Sequence, residues 1–550
     1  MIPMRIPSLL VLCGILGSLP PIGCSAIVAA DPVQCTSDSE CTARGPDFQG
    51  TGCALAGPNK GFCVENRSAS VGECTTNADC VDLTGPGSVC TVDAAQPRCV
   101  PLLADDCPLT YGNPFVENTV TFALLGDFTA NDPGRGRDLG NFEAASLALS
   151  EFQQQSSFAL AGNRRIALVG CSQARPKATT ARLAAAGIKA ILGPSDPAKL
   201  VRVVEQSGAF GIPVFATSAA QNTAVSVPGG TSAVFLTGSS QDGVVAGING
   251  VLSDLSGTVR AARNRGFVRV AVLVDGSLEA YAPVLREKLI FNGKTALQNQ
   301  ADASCANCYT AVSLTRDGAP IAPSEIAASL AEFKADIVIP LSEGGFGNYL
   351  ARVEALPAPA VPPYYLAPFI DVEDASYRVE LASHSTLQSR VIGFRPLRQE
   401  SAYASFESRY RSFAAAEAGP GPMPSLQNVR IYEAAQLAIY STFMASRGGA
   451  NGRFEGAQVA AAVPLVTAPG AETIDVGPLG IPNAVGALAR TGKMNLNGLF
   501  TSFMFLPNRS AANAWEVWCM DGSGRYGATK RTMTETGEWT GVPAVCGAAQ

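Results

Sequence analysis

From about residue 118 onward, short apolar runs alternate with windows of helical periodicity. The run 118–126 (NTVTFALLG) is apolar almost throughout, which predicts a buried strand. The window that follows places Phe142, Ala145, Leu149 and Phe152 on one face of a helix. The same alternation predicts strands over 165–170, 188–192 and 213–217, and helices over 177–186 and 198–210. Strands that are apolar along their whole length are covered on both faces, so the pattern predicts a parallel sheet flanked by helices.

The alternation restarts near residue 267 and predicts a second lobe. Strands are predicted over 267–274, 335–341 and 363–369, and helices over 281–289, 326–333 and 346–353. Helices near 404–417 and 429–446 and a β-rich stretch around 500–519 follow. Two runs of similar size favour an α/β architecture of two similar, doubly wound parallel-sheet lobes with a cleft between them.

The predicted domain spans 107–520. Lobe one takes about 118–248 plus part of 370–470, and lobe two takes about 266–368 plus the C-terminal part. Residues 31–106 form a cysteine-rich segment before this domain, and 521–550 a C-terminal extension.

The first thirty residues have the pattern of an export signal. Arg5 precedes an apolar run over 7–19 that is shorter than the roughly 20 residues needed to span a bilayer. The sequence Ile22-Gly23-Cys24 resembles a bacterial lipobox, which predicts lipidation of Cys24. The alternative is ordinary cleavage after Ala30, which ends a small-x-small triplet. Both alternatives predict export to the periplasm or the cell surface, and the first adds a lipid anchor.

The cysteines indicate an oxidising compartment. Two clusters open with the related sequences QCTSDSEC and ECTTNADC and have the same five-residue gap. Their members are Cys35, Cys41, Cys53 and Cys63, then Cys74, Cys80, Cys90 and Cys99. Repeated spacing in a Gly/Pro/Ser/Thr-rich segment favours small disulfide-held modules over zinc sites, because the spacings are irregular and His384 is the only histidine. The pairing within each cluster stays open.

Six further cysteines are scattered through the chain. They are Cys107, Cys171, Cys305, Cys308, Cys519 and Cys546. Their order suggests three bridges, which join Cys107 to Cys171, Cys305 to Cys308 and Cys519 to Cys546. The pair at 305 and 308 also has the CxxC spacing of redox sites, but its polar surroundings lack a following apolar helix and favour a loop staple.

Composition narrows the function classes. Hydrophobic residues make up 47% and charged residues 16%, which is typical of a globular chain. The net charge of −6 includes no basic stripe, so neither nucleic acid nor an anionic lipid surface is an expected partner. The chain has none of the common nucleophile-elbow, zinc-protease or phosphate-loop motifs, so no catalytic residue, metal or cofactor is predicted.

Five segments carry a resemblance to a known family. They are 191–197 (ILGPSDP), 211–220 (GIPVFATSAA), 234–242, 270–281 and 429–440 (VRIYEAAQLAIY). In this order and spacing they resemble the type I periplasmic binding proteins, the leucine/isoleucine/valine-binding family of ABC-transporter receptors. The resemblance covers about 118–520 and implies a solute-binding protein for amino acids or related small polar molecules, read by an ABC permease. An envelope-anchored ligand sensor or surface-interaction protein with the same fold is the alternative.

Candidate ligand-binding residues follow from the sheet itself, because ligands of open parallel sheets bind beyond the carboxyl ends of the strands. In lobe one these are Asp127, Phe128, Ser195, Thr217, Ser218 and Ala219, and in lobe two Asp275, Tyr281 and Glu343. The hydroxyls and helix-start N–H groups suit a ligand carboxylate, the acidic residues suit an ammonium group, and the two rings suit pocket walls. The alternatives are that Ser195 or Asp196 caps its helix and that the Thr217 loop satisfies its own backbone.

Several positions depart from the family pattern. Ala220 stands where amino-acid binders usually keep a hydroxyl, Cys171-Ser172 where an acidic residue is common, and Ala282 where a glycine often follows the tyrosine. The resemblance therefore leaves other amino acids, amides, short peptides and aromatic acids open as ligands.

Overall fold

The computed structural model describes residues 35–550 apart from short gaps. The residues that it leaves out are 38–39, 41–42, 44–50, 54–62, 66–73, 85, 92–96, 130–134, 156–159, 195, 218–233, 280, 306, 317–318, 342–349, 351–361, 369–384, 416–420, 449–452, 507–508, 521–525, 543–545 and 547–550. The chain divides into two compact units, residues 1–70 and 71–550. In the first unit, β1 (Thr51–Cys53) pairs antiparallel with β2 (Cys63–Glu65). The predicted export signal, with Cys24, lies outside the described residues.

The second unit begins with a small module held by disulfides, here called the disulfide module (residues 74–107). It contains α1 (Asn77–Thr84) and the antiparallel pair β3 (Ser88–Cys90) and β4 (Cys99–Pro101). Its bridges join Cys74 to Cys90 and Cys80 to Cys99. Three of these sulfur atoms lie within 4.8 Å of one another, but a sulfur committed to a disulfide offers no thiolate to zinc. The module is therefore a disulfide structure, as its spacing indicated.

The first large sheet belongs to lobe one. Its elements, with the flanking helices, are β5 (Leu109–Tyr111), β6 (Val120–Gly126), α2 (Arg135–Gln154), β7 (Ile166–Ser172), α3 (Pro176–Ala185), β8 (Ala190–Leu192), α4 (Pro197–Ala209), β9 (Val214–Ala216) and β10 (Val234–Ser239). The sheet order is β10-β9-β8-β6-β7-β5, parallel except for β5. Every residue of β6 and β7 is buried, which is why their sequences read as continuous apolar runs.

The second large sheet belongs to lobe two and repeats the strand order of the first. Its part of the chain comprises α5 (Gln241–Arg263), β11 (Val270–Val274), α6 (Tyr281–Lys288), β12 (Ile290–Phe291), β13 (Lys294–Thr295), α7 (Ala296–Gln300), β14 (Tyr309–Ser313), β15 (Thr315–Arg316), β16 (Ala319–Pro320), α8 (Pro323–Phe333), β17 (Ile337–Leu341), β18 (Tyr364–Ala367), α9 (Ser385–Gln388) and β19 (Val391–Pro396). The parallel strands run β14-β11-β17-β18-β19. In the first sheet β7 lies on one side of β6, and in the second sheet β14 lies on one side of β11. The later parallel strands of each sheet follow on the other side of β6 or β11, which is a doubly wound order.

The last part of the chain contributes to both lobes. It comprises α10 (Glu400–Phe413), α11 (Leu426–Gly448), α12 (Gly456–Val466), β20 (Thr473–Asp475), α13 (Ile481–Thr491), β21 (Asn495–Asn497), β22 (Ser510–Ala511), β23 (Trp515–Met520), β24 (Tyr526–Met533) and β25 (Trp539–Thr540). The helices complete the core of lobe one, and β22 lies parallel to β10. Strands β23 to β25 extend the second sheet antiparallel to β19.

Two predicted boundaries differ from the structure. The chain leaves the first sheet at the end of β10, and α5 packs against β18 and β19, so lobe two begins at about 240 rather than at about 266. Residues 526–533 and 539–540, expected as part of an extension, are sheet strands. The sequence does not reveal β24 because a strand with an exposed face lacks the continuous apolar signature.

Helix α11 is the centre of lobe one and is buried along almost its whole length. It packs between α2 and the sheet strands β8, β9 and β10. A buried ion pair links α2, α10 and α11: Arg409 Nε lies 2.7 Å from Glu151 Oε1, and the Tyr432 hydroxyl donates to Glu151 Oε2 at 2.5 Å. Burial raises the pKa of the Glu151 carboxyl, and the attraction of Arg409 opposes this only in part.

Besides the two bridges within the disulfide module, three further disulfides join described residues. They join Cys107 to Cys171, Cys305 to Cys308 and Cys519 to Cys546, the pairs that chain order suggested. The second of these closes a single turn just before β14, which is the place of a loop staple. Among the described residues no helix has both the length and the apolar character needed to cross a bilayer.

Candidate functional site

Three crossovers join the two lobes. The first leads from β10 into α5, the second is 397–399 between β19 and α10, and the third is 512–514 between β22 and β23. Strands β10 and β22 are parallel, so both leave the first large sheet, here called sheet one, at its carboxyl edge. In the second large sheet, here called sheet two, Trp515 of β23 pairs with Pro396 at the carboxyl end of β19. The crossovers therefore run between the carboxyl edges of the two sheets. This is the edge at which doubly wound sheets bind ligands.

Hydrogen bonds tie the second crossover to the third and hold residues 500–501 against β10. The N–H of Leu397 donates to the carbonyl of Ala514 at 2.8 Å, which links the second crossover to the third. Glu433 of α11, fully buried, accepts from the N–H of Phe500 at 2.7 Å and from the N–H and hydroxyl of Thr501 at 3.2 and 2.8 Å. The Thr501 hydroxyl also lies 3.3 Å from the carbonyl of Thr237 in β10. Burial raises the pKa of the Glu433 carboxyl, and these hydrogen bonds oppose the shift in part.

Polar side chains meet at the carboxyl edge of sheet one. Asp127 follows β6, and its N–H donates to Asp138 Oδ2 at 2.6 Å. Its own Oδ1 accepts from Gln173 Nε2, just after β7, at 2.8 Å. Gln173 Oε1 accepts from the N–H of Asp196 at 3.2 Å, beyond the end of β8. One fully buried glutamine thus connects the loops of three adjacent strands around the point where the strand order reverses.

Asp196 also caps α4, since its side chain accepts from the N–H of Ala198 at 2.9 Å. The capping alternative of the sequence therefore holds for Asp196. Ser195, the other candidate cap and carboxylate receptor, lies outside the described residues, as do Ser218, Ala219, Glu343 and the single histidine, His384.

Thr217 directly follows β9 and is fully buried. Its hydroxyl accepts from Gln427 Nε2, in the first turn of α11, at 2.7 Å. The next residue, Asn428, donates to Asn141 Oδ1 at 2.9 Å, and Asn141 donates to Asp138 Oδ1 at 2.9 Å. The polar chain therefore returns to the carboxylate that holds the Asp127 loop, and the first turn of α11 forms part of the site.

The carboxyl edge of sheet two carries Asp275, which is half-buried directly after β11. Its N–H donates to the carbonyl of Leu341 at the end of β17, 2.9 Å away. Strands β11 and β17 are the pair at which the order of this sheet reverses, so Asp275 lies at the position equivalent to Asp127 in sheet one.

The two aromatic candidates occupy different places from those expected. Phe128 is 2% exposed and lies edge-on to Phe142, with ring centroids 6.1 Å apart, inside the core of lobe one. Tyr281, the first residue of α6, is 1% exposed within the core of lobe two. Both rings are enclosed in the cores of their lobes, where apolar burial favours them, so the structure does not present them as pocket walls.

Sequence reasoning missed Gln173, Asp138, Gln427, Asn141 and Asn428. Gln173 could have been found, because it lies three residues beyond the strand predicted over 165–170. The other four lie in the first two turns of α2 and the first turn of α11, and nothing in their local sequence indicates that these turns meet. Together the site offers carboxylate, amide and hydroxyl groups, which suit a small ligand with both donors and acceptors.

The lobes, their strand order and the polar carboxyl edges define the fold of the type I periplasmic binding proteins. An amino acid ABC transporter substrate-binding protein from Pseudomonas fluorescens Pf-5 superposes with a TM-score of 0.50 at 11% identity, covering 76% of this chain and 97% of its own. A branched chain amino acid ABC transporter protein from Thermus thermophilus with bound valine gives 0.50 at 12%, covering 76% and 96%. A possible leucine/isoleucine/valine-binding protein from Rhodopirellula baltica SH 1 gives 0.50 at 12%, covering 76% and 98%.

These neighbours are solute-binding proteins, and at 11 to 12% identity the likeness is one of fold. No known family profile matches the sequence. No curated protein matches it either.

Proposed function

We propose that this protein is an extracytoplasmic solute-binding protein that closes two lobes on an amino acid or a related small polar molecule. The observation that carries the proposal is the pair of doubly wound sheets whose carboxyl edges, joined by three crossovers, each present a carboxylate where the strand order reverses. Hinge closure about a few short connections is a standard response of such folds to ligand. We propose that an ABC permease reads the closed form.

The ligand chemistry follows from the side chains at the two edges. Asp127 and Asp275, with Glu343, supply carboxylates for an ammonium group in a cleft that excludes water. Ser218, the N–H of Ala219 and the start of α4 at Ser195 supply donors for a carboxylate or an amide oxygen, and the buried hydroxyl of Thr217 positions Gln427 of α11 at the same edge. We further propose that binding involves no catalysis or cofactor.

A binding screen tests the receptor proposal. Purified protein is titrated with amino acids, amides, short peptides and aromatic acids and followed by thermal unfolding and calorimetry. A ligand at a hundredfold its Kd adds about 2.7 kcal/mol of stability, so a true ligand gives a saturable upward shift in Tm. Small-angle scattering on the same complex should show a smaller radius of gyration, because the lobes close.

Three variants locate the site. Asp275→Asn should weaken an ammonium-bearing ligand about a hundredfold, because a charge-assisted hydrogen bond is worth about 1.5–3 kcal/mol. Thr217→Val should weaken the ligand about tenfold. Glu332→Gln, on the exposed face of α8, is the matched control and should change nothing. A folded protein that binds none of these compounds, or binds one equally well in all variants, contradicts the proposal.

We propose export by the N-terminal signal, with Cys24 as the lipidated residue. Mass spectrometry of the mature protein distinguishes a diacylated Cys24 from an unmodified N-terminus at Asp31. The disulfide module supports a second candidate, a ligand sensor or surface-interaction protein of the envelope. Stimulation of a permease's ATPase by the liganded protein would favour transport over sensing.

A further inference from the structure

The disulfide module does not enter the proposed transport function, yet it forms one wall of a pocket. The pocket has a volume of about 400 Å³ and lies at the amino edge of sheet one, the opposite edge from the cleft. Its other walls are the entry into β6, the turn between α3 and β8, and the residues just before α12. The pocket therefore brings together segments that are distant in the chain.

The walls are fixed to one another. Asn77 in α1 donates from Nδ2 to the carbonyl of Phe115 at 3.1 Å, and its N–H donates to Glu117 Oε1 at 2.5 Å. Arg182 of α3 pairs with Asp106 at 2.6 Å, at the end of the module. The two disulfides of the module hold its own strands. The pocket is consequently preformed, which lowers the entropic cost of binding.

The charge of the pocket is opposite to that of the chain. Among the described residues that line it, four have basic side chains (Arg98, Arg164, Lys189 and Arg453) and two have acidic ones (Glu117 and Glu455). The local balance of 4 − 2 is +2, whereas the whole chain carries −6.

Both carboxylates have partners on the protein. Glu117 accepts from the Asn77 N–H, as described, and Glu455 caps the start of α12 and lies 3.2 Å from Lys189 Nζ. The Lys189 side chain is 11% exposed, so its ammonium lies in the wall of the pocket, while Glu455 is 68% exposed. The excess of positive charge therefore faces a concave, partly desolvated space, where its attraction for an anion exceeds that of scattered surface cations.

We propose that this pocket is a second ligand site, which binds a phosphate monoester of sugar size. A phosphate monoester carries about −1.5 to −2 charges near neutral pH, which matches the local balance. Arginine guanidinium groups bind phosphate oxygens in a bidentate geometry that a point charge cannot reproduce. The volume lies within the usual range of small-molecule pockets, which leaves room for a sugar beside the phosphate.

This chemistry has two sources, a free sugar phosphate or the phosphorylated sugar headgroup of a membrane glycolipid. Calorimetry on the full-length protein therefore uses glucose 1-phosphate as the free probe, with glucose and inorganic phosphate as references. A flotation assay uses phosphatidylcholine vesicles with and without monophosphoryl lipid A. Saturable binding of the free ester supports a free ligand, and binding to the lipid A vesicles alone supports the headgroup. Binding in neither assay overturns the proposal.

Variants tie the binding to this pocket. Arg164→Gln and Arg453→Gln should each weaken binding about tenfold, and Arg164→Lys should weaken it too, because the charge stays but the fork is lost. Arg316→Gln, an exposed arginine of lobe two paired with Glu325, is the matched control and should bind as the parent does. Unchanged thermal unfolding of each variant excludes misfolding. Phosphate-ester binding that survives both pocket substitutions overturns the proposal.

Discussion

The buried carboxyl of Glu433 holds the segment before the third crossover, and its substitution gives the sharpest test of how the crossovers are supported. Three donors converge on it: the N–H groups of Phe500 and Thr501 and the Thr501 hydroxyl. That hydroxyl has one proton but two acceptors in reach, Glu433 Oε2 and the carbonyl of Thr237. A protonated Glu433 resolves the conflict, because it donates to the hydroxyl, which then donates to Thr237.

The expected losses in the free energy of unfolding follow from the number of hydrogen bonds that each substitution removes. Glu433→Ala leaves two buried N–H groups without an acceptor and a cavity of carboxyl size, which should cost about 3–5 kcal/mol in the free energy of unfolding. Glu433→Gln keeps an acceptor for both N–H groups, and its amide donates to the hydroxyl as the neutral acid does. Its cost should be about 1 kcal/mol or less.

The pH dependence of stability is an independent test of the protonation of Glu433. The folded pKa of Glu433 lies above its ordinary value of 4.5, so the folded protein binds more protons between the two values. The stability contribution of Glu433 is therefore complete below the unfolded pKa and is lost as pH rises through the folded pKa. Glu433→Gln removes this slope, so the stability of the parent relative to the glutamine variant should fall with rising pH.

Urea unfolding of the three proteins between pH 4 and pH 8 measures both effects. The reasoning is refuted if the glutamine variant loses as much stability as the alanine variant. It is equally refuted if the difference between parent and glutamine variant is the same at every pH.

Three further substitutions test other parts of the structure. Arg409→Leu should lower the free energy of unfolding by about 2–3 kcal/mol at pH 7, because it leaves buried Glu151 without its cation. The loss should be smaller at pH 5, because protonation of Glu151 relieves that cost. Urea titrations at the two pH values measure this difference. Replacing Cys107 and Cys171 together by alanine should cost about 4 kcal/mol from loop entropy over a separation of 64 residues, and an unchanged urea midpoint would contradict the pairing. Lys334→Gly should raise Tm, with a gain of about 0.5–1 kcal/mol, because Lys334 ends α8 at a φ of 57°, where glycine is unstrained; a lower Tm would refute this.

Much of the fold was predictable because buried parallel strands are apolar at every position. The strands β6, β7 and β11 were found within a few residues of their observed bounds for this reason. Helix α5 was overlooked by periodicity, since glycines interrupt its apolar positions, although Val244, Ile248, Val251 and Leu255 form a buried face. That omission moved the predicted boundary between the lobes.

The site was predictable only as far as single strand ends determine it. Asp127, Thr217 and Asp275 lie where the rule of carboxyl ends places them. The hydrogen bond between Asn428 and Asn141 joins residues separated by 287 positions, and no local pattern encodes such a meeting. Phe128 and Tyr281 show the same limit, because an aromatic residue near a strand end is equally suited to the core.

The placement of β19 has a consequence for the order in which the two lobes can fold as the chain is synthesised. The partner on its outer side, β23, is made only after the chain has returned to lobe one and built α10 to α13 and β22. Until that stretch has emerged, β19 is an unpaired edge, open to pairing with another chain. The last bridge, Cys519 to Cys546, closes later still. Lobe two therefore cannot mature ahead of lobe one, and a chain whose synthesis stops before residue 515 would present an aggregation-prone sheet edge.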